Sequence, residues 1–116
     1  MKIKTAKLTD VALDWAVTSV VGKANMDYYF PMRFRGAWLS GEFKYATSDS
    51  LSGPLIDENL IATSPYGYSD EAWHAVMSHR TDKHFTAYGD TRLIAAMRCF
   101  VMANLGNEVD IPGVLL

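Results

Sequence analysis

The sequence predicts an α+β fold: a small antiparallel sheet packed by an N-terminal and a C-terminal helix, plus a short central helix. Three stretches predict it. "LTDVALDWAVTSVVGK" sets apolar residues three and four apart, the pattern of an amphipathic helix. "EAWHAVM" and "HFTAYG" alternate on either side of a polar turn, the pattern of a hairpin. "LIAAMRCFVMANLG", Leu93 to Gly106, is helical in period yet apolar nearly all round, which suits a helix buried on most sides. At 116 residues, 49% of them hydrophobic, the chain is expected to form a single domain over 1–116 with a real core.

The elements follow in order. Met1 to Thr5 alternates around Ile3 and reads as a short edge strand or a mobile end. The first helix starts at Thr9, a good N-cap, with Asp10 in the first turn where the helix dipole favours an anion. Leu8, Ala12, Trp15, Ala16 and Val20 form its expected apolar face, Asp10, Asp14 and Thr18 its polar face, and Gly22 its end. "MRFRGAWL" and "EFKYAT" have strand-like alternation, with "SGE" as a hairpin turn between them. Pro54 suits the first turn of the short central helix, capped by Ser52 or Gly53 and followed by Asp57 and Glu58. "LIATS" reads as a short strand and "PYGYSD" as a turn. In the hairpin, Trp73, Ala75 and Met77 share one side and His74 and Val76 the other, for a sheet of about four strands in all. Asp90 or Thr91 caps the last helix, Gly106 ends it, and "NEVDIPGVLL" is an extended tail.

Composition narrows the function classes. A formal net charge of -2 argues against general nucleic-acid binding, which draws its affinity from Lys and Arg on phosphates, though it allows a local basic patch. The one cysteine, Cys99, permits no internal disulfide and sits in an apolar setting that suppresses its thiolate. "MKIKTAKLTD" carries no apolar signal core, and no run is long enough for a membrane span, so a cytoplasmic protein without a membrane partner is expected. His74, His79 and His84, spaced by five, do not converge as metal ligands, and no metal or cofactor is expected. Asp57 and Glu58 are adjacent and diverge on a helix, so they read as helix-start charge, not a catalytic pair.

Two features can carry binding. The segment from Tyr28 to Tyr45 mixes aromatics, Trp38 among them, with Arg33, Arg35 and Lys44. Aromatic faces stack on bases and Arg grips phosphate. The same composition suits a protein hot spot, or plain core strands and subunit contacts. The second feature is Arg98, the lone cation of the apolar helix. A buried guanidinium needs acceptors. They are either internal (Asp14, Asp57, Glu58 or backbone carbonyls) or a bound anion such as a phosphate. The ligand-binding candidates are thus Arg33, Arg35, Trp38, Tyr45, Trp73 and Arg98. The apolar helix itself is covered either by both halves of the domain or by a second subunit, which would make a homo-oligomer.

Three stretches resemble one family. "ALDWAV", "SGPLID" and above all "LIAAMRCFVMANLGNEVDIP" are similar to the opening helix, the central Gly-Pro motif and the carboxy-terminal signature of the NinX family of lambdoid bacteriophages. Where members often carry a tryptophan and two glycines before the central proline, this chain has Leu51, Ser52 and Gly53. The resemblance implies a small phage accessory protein made in the host bacterial cytoplasm. Combined with the aromatic and basic segment, it leads to an expected function of binding a host component without catalysis, most concretely sequestering a nucleotide-type defence signalling molecule. The alternative is a modulator of a host enzyme such as a nuclease or repair protein, and a third class is an enzyme acting on nucleotides.

Overall fold

The computed structural model describes residues 1–21, 44–66, 71–78 and 83–113. Their architecture is α+β, with three α-helices, α1 (Asp10–Val21), α2 (Asp49–Glu58) and α3 (Arg92–Leu105). The strands are β1 (Lys2–Lys4), β2 (Ala62–Pro65), β3 (Trp73–Ser78), β4 (His84–Gly89) and β5 (Glu108–Asp110). The strands form two antiparallel sheets, β2-β3-β4 and β1-β5, in place of the one expected.

The helix α3 lies at the centre. Thr91 caps it, its side chain accepting from the Ile94 N–H at 3.2 Å. Gly106 ends it at φ 91°, a backbone conformation that L side chains rarely adopt. Leu93 and the unbroken run Ala95 to Val101 are buried. The three-stranded sheet covers one side of α3 and α1 another, so Leu93 and Ala95 to Val101 are covered within the chain, while Leu105 stays exposed. The approach to β4 is close: a Cβ on Gly89 would stand 2.6 Å from the Ala95 nitrogen and 2.8 Å from Ile94 Cγ2. Gly89→Ala is therefore expected to lower stability by about 1–3 kcal/mol through overpacking, measured by urea unfolding.

The hairpin keeps its expected parity. Ala75, Met77 and Ala87 are buried toward α3, while His84, Thr86 and Tyr88 are exposed on the opposite face. The register places His74 opposite Tyr88, Val76 opposite Thr86 and Ser78 opposite His84.

Four expectations change. The buried face of α1 is rotated: Leu13 and Val17 are inaccessible and Asp14 is only 4% exposed, whereas Trp15 and Val20 are half-buried. Asp14 is drawn inward because its Oδ1 accepts the buried Ala46 N–H at 2.9 Å. Second, Tyr45, Ala46 and Thr47 form a turn and not a strand, closed by Thr47 and Ser48 N–H bonds to the Lys44 carbonyl at 3.2 and 2.9 Å. "MRFRGAWL" and "SGE" lie outside the described residues. Third, this turn delivers the chain into α2 one turn early, so Pro54 lies inside the helix. Pro54 and Ser50 are both exposed, which leaves the carbonyl that loses its partner open to solvent. Ser52, expected as a cap, is instead buried and donates to the Tyr45 carbonyl.

Fourth, the carboxy-terminal tail, extended as expected, has a partner that its sequence does not indicate. Its β5 pairs with β1, Ile3 opposite Val109, and the Thr5 hydroxyl donates to the Gly106 carbonyl at 2.6 Å. The ends of the described chain are thereby tied to the end of α3.

The end of α2 carries local strain. Leu60 N–H bonds the Asp57 carbonyl at 3.3 Å and Ile61 N–H the Ile56 carbonyl at 3.0 Å, with Ile56 and Ile61 both buried. This is the Schellman arrangement, which calls for a left-handed residue between. Leu60 supplies it at φ 53°, with its side chain 82% exposed. Leu60→Gly is expected to raise stability by about 1 kcal/mol, read as an increase in Tm, because it relieves the backbone and removes little burial.

Candidate functional site

The sequence-predicted site residues do not gather at one described place. Arg33, Arg35 and Trp38 lie outside the described residues. Tyr45 and Trp73 are half-buried and pack against the core, and burial raises the Tyr45 hydroxyl above its ordinary pKa.

Arg98 is 6% exposed. Its Nε donates to the Leu8 carbonyl and its Nη1 to the Tyr88 carbonyl, both at 2.8 Å. Glu71 Oε1 lies 3.6 Å from the same Nη1. The acceptors are thus internal, as one of the two sequence readings has it, but the carboxylate is Glu71 and not Asp14, Asp57 or Glu58. Arg98 binds together the chain before α1, the end of β4 and the segment leading into β3.

Cys99 is buried within α3, its Sγ donating to the Phe85 carbonyl at 3.2 Å. Burial pushes its thiol up to about 11. At pH 8 the native protein is expected to resist iodoacetamide, whereas urea-unfolded chain is alkylated rapidly; mass spectrometry distinguishes them. The sign also sets an alkaline limit. The folded state holds the proton more tightly than an ordinary thiol, so this group's contribution is present below pH 9 and lost toward pH 11.

A different set converges. His74 and Tyr88 face each other across β3 and β4 with ring centroids 4.9 Å apart and an interplanar angle of 30°. Tyr66, just beyond β2, joins them at 5.1 Å from Tyr88 and 6.2 Å from His74. Its N–H bonds the Ala72 carbonyl at 2.6 Å, fixing the chain there. Tyr88 is 37% exposed on the sheet face away from α3, so these rings form a partly open aromatic platform. At the other end of that face Ser78 Oγ and His84 Nδ1 are 2.9 Å apart. In the sequence His74 and His84 suggest no function beyond metal ligation, although His74 is placed on the side of its strand opposite Trp73, Ala75 and Met77. The missed signal is the parity of the two strands combined with their register, which sets His74 beside Tyr88 on the open side. Among the described residues no group of three or more His, Cys, Asp or Glu side chains is placed to hold a metal ion. None of their helices is long and apolar enough to cross a membrane.

A protein-family model described as "Bacteriophage P22, NinX" matches residues 4–104. No curated protein is significantly similar to the chain.

Proposed function

Because the chain belongs to the bacteriophage P22 NinX family, we propose that this phage accessory protein binds a host component without catalysis, sequestering a nucleotide-type molecule of host defence signalling. One observation carries the reading: the aromatic platform of Tyr66, His74 and Tyr88 on the open sheet face. Stacking on such rings contributes about 1–3 kcal/mol per base and tolerates any base. Binding is favoured over catalysis by the state of the reactive groups. The Cys99 thiol is buried and protonated. In the Ser78–His84 pair the hydroxyl meets the imidazole, and no carboxylate among the described residues completes a triad with it.

The test is to equilibrate the purified protein with extract of phage-infected cells, wash, denature and identify the released small molecules by mass spectrometry. Enrichment of a nucleotide over a Tyr88→Ala control is the expected result. Release of no nucleotide from the unaltered protein overturns the reading.

A second reading, a modulator of a host enzyme, is favoured by Leu60. The helix end accounts for the left-handed backbone of Leu60 but not for a large apolar side chain 82% exposed there, the kind of exposed apolar residue that can mark a contact. Leu60→Asp would then abolish co-purification of a host protein while leaving nucleotide retention intact.

A further inference from the structure

The open face of the β2-β3-β4 sheet is ordered by chemistry from end to end. The pairing registers stack its outward side chains in three rungs: Ser64, His74 and Tyr88; then Ala62, Val76 and Thr86; then Ser78 and His84. Successive rungs are two residues apart, so the aromatic and polar ends are separated by about 13 Å. The first rung, with Tyr66 beside it, offers ring faces. The middle rung offers methyl groups and one hydroxyl. The last offers an imidazole and a hydroxyl, already hydrogen-bonded to each other at 2.9 Å. With Ser78 donating to His84 Nδ1, the neutral ring carries its hydrogen on Nε2 and presents it as a donor. No rung residue is acidic, so the rungs themselves set no carboxylate against an anion.

Resting on the nucleotide reading above, we infer that the ligand is a nucleoside 5′-polyphosphate laid along β4. Its base stacks on Tyr88, His74 and Tyr66, its sugar lies over Val76 and Thr86, and its terminal phosphates accept from His84 Nε2–H, the ring being held by its bond to Ser78. The order of the rungs matches the order of groups in such a ligand: a flat ring, a less polar middle and an anionic end. A nucleoside fills only the aromatic end.

ATP and adenosine serve as probes, followed by titration calorimetry and by amide chemical shifts. With the unaltered protein, ATP is expected to shift amides of both end rungs and adenosine those of the aromatic rung alone, ATP binding the more tightly. Tyr88→Ala should weaken both ligands by about tenfold or more, the loss of one stacking ring. Tyr88→Phe, which keeps the ring, should bind as the unaltered protein does. His84→Ala should reduce ATP affinity to that of adenosine and leave adenosine unchanged. The side chains of Tyr88 and His84 lie on the open face, and retained amide dispersion shows that the variants are folded. Equal affinity for ATP and adenosine in the unaltered protein overturns the phosphate end. ATP binding that is indifferent to both alanine variants overturns the site while leaving nucleotide binding standing. Absence of binding by either probe overturns this assignment, and the nucleotide release assay then decides the broader reading independently.

Discussion

Phe100→Ala is expected to lower the unfolding free energy by about 3–5 kcal/mol, measured by urea titration with an unchanged m-value. Phe100 is buried on α3 within a run in which every residue from Ala95 to Val101 is buried. The neighbours cannot collapse onto the space left behind, because α3 is held from several directions at once. β3 and β4 pack on one side and α1 on another. Gly89 already sits against the α3 backbone, and Thr5 is tied to Gly106 at its far end. The loss therefore combines the transfer of a large aromatic ring with a cavity that persists. A change well under 1 kcal/mol would mean that α3 is not the centre of the core.

Arg98→Met is expected to cost about 2–5 kcal/mol, although it replaces a buried cation with an apolar chain of comparable length. The reason is the identity of the acceptors. The Leu8 and Tyr88 carbonyls both receive Arg98 at 2.8 Å. Methionine leaves these backbone oxygens without that donor, at about 1–3 kcal/mol each where they stay dry. Glu71 contributes less: its carboxylate lies 3.6 Å away and its side chain is 36% exposed, so solvent screens the pair. Glu71→Gln alone should cost less than about 1 kcal/mol, and combining it with Arg98→Met should bring no rescue. Full rescue by Glu71→Gln would show that the carboxylate, not the two carbonyls, is the principal partner. Arg98→Lys should restore only part of the stability, since an ammonium lacks the planar fork that reaches Leu8 and Tyr88 together. One of these carbonyls belongs to Tyr88 itself, so Arg98→Met should also weaken the near-ultraviolet circular dichroism of the tyrosines.

The candidate site was less legible in the sequence than the fold. The aromatic and basic stretch before Tyr45 draws attention because its residue types stand next to one another. The platform draws none, because Tyr66, His74 and Tyr88 are scattered over three separate segments. The register sets His74 against Tyr88, and the Tyr66 N–H bond to the Ala72 carbonyl brings the third ring beside them. Arg98 is the converse case. Its need for acceptors follows from one charge in an apolar helix, but backbone carbonyls have no sequence signature, and Glu71 sits in a stretch that reads only as the start of a strand.

What the sequence by itself determined is whatever depends on neighbours a few residues apart. The alternation of β3 and β4, the apolar periodicity of α3 and its Gly106 end are all local and lie where the pattern placed them, and the cap is Thr91, one of the two residues, with Asp90, that the sequence offers. Tertiary structure decided what local pattern leaves degenerate. It turned Asp14 inward, because a buried N–H of Ala46 elsewhere in the chain required an acceptor. It gave the three-residue strand β5 a partner in β1, a pairing too short to show a period and joined across nearly the whole chain. It carried α2 through Pro54, because the Lys44–Thr47 turn starts that helix before the proline can open it. In the first two cases a buried polar group or an unpaired backbone edge found its partner far along the chain, and hydrogen-bond satisfaction outweighed the local preference, whereas in the third a neighbouring turn set the start of the helix.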